Sequence, residues 1–202
     1  MLSNMQTKKT LKIGITGGIG SGKSVISRTL KTMGYPIYDS DSWAKKLMNE
    51  HIEIRNSLTQ RFGQETYINS EINRPFLAQK IFNNTENLAF VNSVVHPIVG
   101  KHFLQWTEMQ NANLVFIESA ILFSSGFNKI VDKVIFVDAP QDIRLQRAIT
   151  RDNSNAEAVM ARIKNQAEND IFARNHSNFI IQNDNNTLII PQILSILEKI
   201  NG

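Results

Sequence analysis

Eight consecutive residues, Gly17-Gly18-Ile19-Gly20-Ser21-Gly22-Lys23-Ser24, constrain this chain more than any other feature. They follow an apolar run at 11–16 and lead into a stretch with helical periodicity. Glycines let the backbone wrap closely where side chains would collide with whatever the loop encloses. The loop N–H groups and the N-terminus of the next helix then aim positive dipole at one spot, which makes a cradle for phosphate oxygens. The spacing Gly-x-x-x-x-Gly-Lys-Ser is the full phosphate-loop pattern in its proper strand-to-helix context. Gly18, Gly20, Ser21, Gly22, Lys23, Ser24 and Val25 are the expected nucleotide contacts. Lys23 is expected to reach the β- and γ-phosphates, and the Ser24 hydroxyl to ligate Mg²⁺.

The rest of the chain has the layout such a loop requires. Apolar runs at 11–16, 36–38, 114–118, 133–138 and 178–182 read as buried strands. Helical patterns at 24–33 (closed by Gly34), 42–58, 141–175 and 193–200 alternate with them. Strand–helix alternation predicts a parallel sheet covered on both faces. Residues 60–108 contain no convincing buried strand and several amphipathic stretches, so they read as a helical insertion, with His96-Pro97 at the boundary of two helical stretches. A length of 202 residues suits one domain with such an insert. With 42% hydrophobic and 20% charged residues the chain is globular rather than disordered, and without cysteine it has neither disulfides nor thiolate metal sites. No run of 18 apolar residues predicts a membrane span, and polar residues 1–10 read as a frayed tail without a signal peptide. A cytoplasmic location is the expectation.

The net charge of +4 suits a polyanionic ligand, but no block of five basic residues points to nucleic acid. Guanine nucleotides are unsupported: no Asp is followed three residues later by Gly, and Asn128-Lys129-Ile130-Val131-Asp132 is one residue too long for a guanine-binding Asn-Lys-x-Asp. That leaves ATP.

Ligands of open parallel sheets bind beyond the carboxyl ends of the strands. Asp39 and Asp41, Glu118, and Asp138 fall at such ends. Phosphoryl transfer to a hydroxyl needs a carboxylate that accepts or orients its proton. Asp39 and Asp41 fit that role, or either caps the helix that starts beside them. Glu118 resembles the acid of a second nucleotide motif, whereas Asp138 reads as structural. Arg144, Arg147 and Arg151 are spaced to share a helix face, with Arg162 on the next helix. Arginines there neutralise a migrating phosphoryl group, or they line a solvated face paired with Asp142 and Asp152.

Taken together these elements resemble the dephospho-CoA kinase family over nearly all of residues 11–184. Beside the phosphate loop, Asp39-Ser40-Asp41 stands where that family has Asp-Ala-Asp. Asn73-Arg74-Pro75-Phe76-Leu77, His96-Pro97-Ile98, Arg147-x-x-x-Arg151-Asp152, Arg162-Ile163-x-x-Gln166 and Ile180-Ile181-Gln182-Asn183 follow in family order. The resemblance implies an α/β P-loop NTPase fold, with a five-stranded parallel sheet of order 2-3-1-4-5 flanked by helices. It implies one kinase domain over 1–202, with a core at 11–50 and 112–202, a helical substrate region at 51–110 and a lid at 144–172. The implied reaction moves the γ-phosphate of ATP, with Mg²⁺, to the 3′-hydroxyl of dephospho-CoA. The implied catalytic residues are Asp41 as base, Lys23, and Arg151 on the lid. Arg147 and Asn183 would contact adenine, and Asp39, Arg74, His96 and Glu118 the acceptor. The implied protein is a monomer that binds no nucleic acid and no membrane. One departure lies after the third strand, where Ala120-Ile121-Leu122-Phe123-Ser124 replaces Pro-Leu-Leu-Phe-Glu.

Overall fold

A computed structural model describes residues 10–201. The expected frayed tail therefore lies, apart from Thr10, outside the described residues. The chain divides into two compact units, one holding the described residues through Tyr38 and from Thr107 onward, the other Asp39–Trp106.

The first unit is built on strand β1 (Leu11–Thr16), whose last four residues are buried. Helix α1 (Lys23–Thr32) follows the phosphate loop, buries Ile26, Ser27 and Leu30, and ends as Gly34 turns the chain at φ 92°. Strand β2 (Ile37–Asp39) comes next. In the second unit the chain forms α2 (Ser40–Glu50), α3 (Ile52–Phe62), the short strands β3 (Tyr67–Ile68) and β4 (Glu71–Ile72), α4 (Arg74–Ile81) and the long α5 (Thr85–Glu108). It returns to the first unit as β5 (Leu114–Glu118), β6 (Lys133–Asp138), α6 (Gln141–Asp152), α7 (Ala156–Asn175), β7 (Phe179–Gln182) and α8 (Ile189–Asn201).

The main sheet has five strands in the order β2-β5-β1-β6-β7. Without the small β3–β4 pair this is the expected order 2-3-1-4-5. The registers at β1–β5, β1–β6 and β6–β7 are all parallel, with Ile15 opposite Glu118 on one side and Ile135 on the other. Near-continuous apolar strands are what a sheet buried on both faces requires. Ile13, Ile15, Phe116, Val137 and Ile181 pack with Ile26 and Leu30 of α1 and with Ile193, Ile196 and Leu197 of α8. Each fully buried side chain of this size contributes roughly 1.5–3 kcal/mol relative to exposure. Gly14 sits under Leu122, where an added Cβ would stand 2.7 Å from Leu122 Cδ2.

The second unit departs from the expected all-helical insertion. Residues 67–72 form an antiparallel hairpin whose turn residues, Asn69 and Ser70, both have positive φ (49° and 68°). Strands of two residues are too short to show alternation, so periodicity misses them. The hairpin is fastened to the end of α2: Tyr67 Oη donates to the Met48 carbonyl (2.8 Å), and Ile72 N–H donates to Asn49 Oδ1 (2.9 Å). The helical reading of 42–58 resolves into two helices that meet at His51, which is extended at φ −81°, ψ 120°. The expected boundary at His96-Pro97 is absent. α5 runs through Pro97 as one helix of 24 residues. Proline lacks an N–H for the Ser93 carbonyl and costs a free helix about 3 kcal/mol. Buried Val91, Val95, Val99 and Phe103 along the helix supply compensating burial. The last helix begins at Ile189, four residues earlier than the periodicity suggests, with Pro191 in the first turn where N–H groups are unpaired anyway.

Candidate active site

The phosphate loop leaves the carboxyl end of the central strand β1 and enters α1. Gly22 caps that helix in the left-handed conformation, at φ 94° and ψ 26°. Gly20 is also left-handed, at φ 74°, and a Cβ there would lie 2.1 Å from the Arg144 carbonyl oxygen. These two positions therefore exclude side chains on both backbone and space grounds. Lys23 Nζ donates to the carbonyls of Gly17 (2.7 Å) and Gly18 (3.2 Å), so the ammonium lies across the loop.

Side chains far away in sequence hold the loop from outside. Arg144 of α6 donates through Nε to the Ile19 carbonyl (2.9 Å) and through Nη2 to Asp170 of α7 (2.7 Å). Gln166 Oε1 accepts from Ile19 N–H (3.3 Å). Asn183, buried just after β7, donates to the Ser21 carbonyl at 2.8 Å, and Arg147 donates to the same oxygen at 3.4 Å. Arg147 also donates to the side-chain oxygens of Asn183 (3.3 Å) and Asn185. The Ser21 hydroxyl is buried with no hydrogen-bond partner among the described residues, a cost that a bound oxygen would relieve.

Of the three arginines expected on one face of α6, two reach the loop. The third, Arg151, is exposed and forks onto Asp152 (2.7 and 3.1 Å), which also accepts from Arg162 of α7 (2.9 Å). Hydrogen bonds from Arg151, then from Arg162, hold the Asp152 carboxyl down at about 2. Asp138 accepts from Arg174 (3.0 Å), in keeping with a structural acid. Glu118 is partly buried at the end of β5. A cavity of about 300 Å³ opens beside Thr16, between the loop after β5 and α7, with Leu122, Ser124, Asp170 and Phe172 among its walls. A wider cleft of about 690 Å³ runs from Asn183 and Asn185 along Thr187–Pro191 and faces Thr29 of α1.

The fit of a magnesium ion follows from the donor set. The Ser24 hydroxyl is exposed in the first turn of α1 and makes no hydrogen bond among the described residues. No cluster of three His or acidic residues could cage a metal among the described residues. One protein hydroxyl completed by phosphate oxygens and water suits Mg²⁺, which keeps much of its hydration.

In the second unit, Asp39 is the N-cap of α2. Its carboxylate accepts from Asp41 N–H (3.1 Å), Ser42 N–H (3.2 Å) and the Ser42 hydroxyl (2.6 Å). That assigns the capping job to Asp39 and places Asp41 in the first turn of α2. Arg74 is exposed at the start of α4, behind an Asn73 cap. His96 is half-buried within α5, and burial pushes its pKa down, toward the neutral ring.

Sequence reasoning passed over Gln166 and Asp170 as site residues. They stand four apart on α7, one above the other on a single face. That spacing opposite Arg144 and Arg147 was the available signal.

A five-stranded parallel sheet of this order, with an intact phosphate loop after its central strand, defines a P-loop kinase. The family model described as dephospho-CoA kinase matches residues 11–188. The dephospho-CoA kinase of Porphyromonas gingivalis is 45% identical over 190 residues, covering 94% of each chain. A crystal structure of TT1252 from Thermus thermophilus superimposes with a TM-score of 0.83 at 28% identity, over 96% of this chain and 100% of that one. The fold also matches dephospho-CoA kinase from Campylobacter jejuni, with a TM-score of 0.68 at 23% identity over 94% and 96% of the two chains. The chain belongs to the dephospho-CoA kinase family. Among the described residues no helix is long and apolar enough to cross a membrane.

Proposed function

We propose that this chain transfers the γ-phosphate of ATP to the 3′-hydroxyl of dephospho-CoA, giving CoA and ADP, the last step of coenzyme A biosynthesis. The observation that carries the reading is the family match over residues 11–188 on a chain whose phosphate loop is intact. The loop N–H groups and Lys23 bind the β- and γ-phosphates and offset the charge that builds up in transfer. Bound magnesium would neutralise phosphate charge further, and Ser24 is the residue that would hold it. Asn183 lines the cleft that runs along Thr187–Pro191, and Arg147 bonds to Asn183 and Asn185 there, which suits contact with the adenine base. Asp41 accepts the proton of the acceptor hydroxyl, while Asp39 shapes the turn that presents it. Arg74 and His96 bind the acceptor, Glu118 orients it, and Arg151 steadies the migrating phosphoryl group. The enzyme so described is a cytoplasmic monomer that binds no nucleic acid.

A coupled ADP-release assay tests the reading, with dephospho-CoA set against a panel of nucleosides, nucleotides and shikimate. Dephospho-CoA should be preferred by orders of magnitude in kcat/KM. Turnover of another acceptor with none of dephospho-CoA would overturn it.

A further inference from the structure

A groove of about 150 Å³ crosses the second unit between α2 and α4. Ile72 and Leu77 form its buried floor, and Met48, Ala78 and Ile81 form its walls. Lys45 and Arg74 stand among its lining residues, and no acidic residue does. Three other cations of this unit are engaged: Lys46 faces Glu50 (3.9 Å), Arg61 faces Glu86 (2.6 Å), and Arg55 donates to the carbonyls of Asn49 and Ser70. Lys45 and Arg74 have no ion pair or hydrogen bond among the described residues. An apolar slot with two uncompensated cations fits a ligand that joins an apolar chain to an anion.

The position of the groove says which ligand. Asp41, Lys45 and Met48 follow at i, i+4 and i+7 on α2, which places them on one face of the helix. At about 1.5 Å of rise per residue, Lys45 lies about 6 Å and Met48 about 10 Å along the axis from Asp41. In dephospho-CoA the 3′-hydroxyl carbon is joined through C4′ to the carbon that bears the diphosphate, and the pantetheine arm continues from there. A ribose whose 3′-hydroxyl meets Asp41 can therefore set its diphosphate at Lys45 and run the arm toward Met48. The gem-dimethyl group and methylenes of the arm match the apolar walls. The hairpin bonds to Met48 and Asn49 keep the floor in place beneath α2.

We infer that this groove is the subsite for the acceptor's pantetheine arm, with Lys45 and Arg74 pairing with the diphosphate. The inference rests on the proposed reaction and deepens it. Arg74 thereby gains a specific partner, and Lys45 and Met48 enter the acceptor site.

The test uses the full-length enzyme and two exposed positions. Ala78→Trp fills the groove, and Lys45→Ala removes one cation. With dephospho-CoA, each should raise the acceptor KM about tenfold while kcat changes much less, the pattern of lost uniform binding. Isothermal calorimetry with 4′-phosphopantetheine, which has the arm and a phosphate but no adenosine, gives a second readout without turnover. It should bind the wild type and bind both variants at least fivefold more weakly. Wild-type turnover of dephospho-CoA with unchanged acceptor KM in both variants would overturn the groove and leave the kinase reading standing. Undiminished phosphopantetheine binding in both variants, or none to the wild type, would overturn it too. No wild-type turnover, with phosphopantetheine binding lost in the variants, would sink the kinase reading and support the groove.

Discussion

The phosphate loop and the start of α2 carry the two chemical halves of the proposed reaction, and they are held in opposite ways. The loop is braced from outside by Arg144, Arg147, Gln166 and Asn183, residues more than a hundred positions downstream. Its glycines leave no room for other backbones or side chains. The cap at the start of α2 is local, made by three hydrogen bonds to Asp39 that span at most three residues. A loop that must wrap a highly charged group in one geometry needs rigid support from several elements. A carboxylate that must accept one proton needs a defined helix end and access. Substitutions in the first region should therefore change binding and stability together, and those in the second should change chemistry alone.

The largest expected effect is at Lys23. Lys23→Ala should lower kcat/KM for ATP by about 10³, the scale for removing a preorganised charge from a developing anion. A loss below tenfold would mean that the loop N–H groups suffice. Asp41→Asn comes next, with kcat down by about 10², the usual scale for losing a general base. Because Asp39 does the capping, the melting temperature and the KM for ATP should stay near wild type. A melting temperature that falls with kcat would give Asp41 a structural job and erase the contrast. Arg147→Ala should raise the KM for ATP about tenfold and, since it also braces Ser21, lower stability by about 1 kcal/mol. An effect on the acceptor KM alone would remove Arg147 from the nucleotide half.

Legibility in the sequence divides along the same line. β1, the other four strands and the loop were readable because buried parallel strands are continuous apolar runs and the loop has a fixed spacing, whereas the order of the strands came through family resemblance. The roles of Arg147 and Asn183 came through family resemblance. Periodicity could not have found them, because the fold alone brings α6 and the end of β7 to the loop. Asp39 and Asp41 were visible as a pair, but which one caps depends on where α2 starts, a boundary that sequence leaves uncertain by a residue or two. The second unit was least legible. The hairpin at 67–72 is too short to show a period, and Pro97 reads as a helix end although α5 continues through it. There tertiary packing overrides local preference.

The smallest expected effect concerns the Arg151–Asp152–Arg162 cluster at the far end of α6. The Asp152 carboxyl, ordinarily near 3.8, is held at about 2 by the Arg151 fork and by Arg162. A depressed carboxylate binds fewer protons folded than unfolded, so its contribution is complete above the unfolded value. That contribution fades as pH falls from there through the folded value. Asp152→Asn should therefore melt slightly below wild type at neutral pH, and the two curves should converge as pH drops from about 4 toward 2. The gap should also shrink in high salt, since the fork from Arg151 is solvent-exposed. Carboxyl titration by NMR gives the direct check: a midpoint near 2 for Asp152 means that the cluster persists in solution. An ordinary midpoint would mean that Arg151 spends its time elsewhere, unlike Arg144 and Arg147, which are tied into the loop.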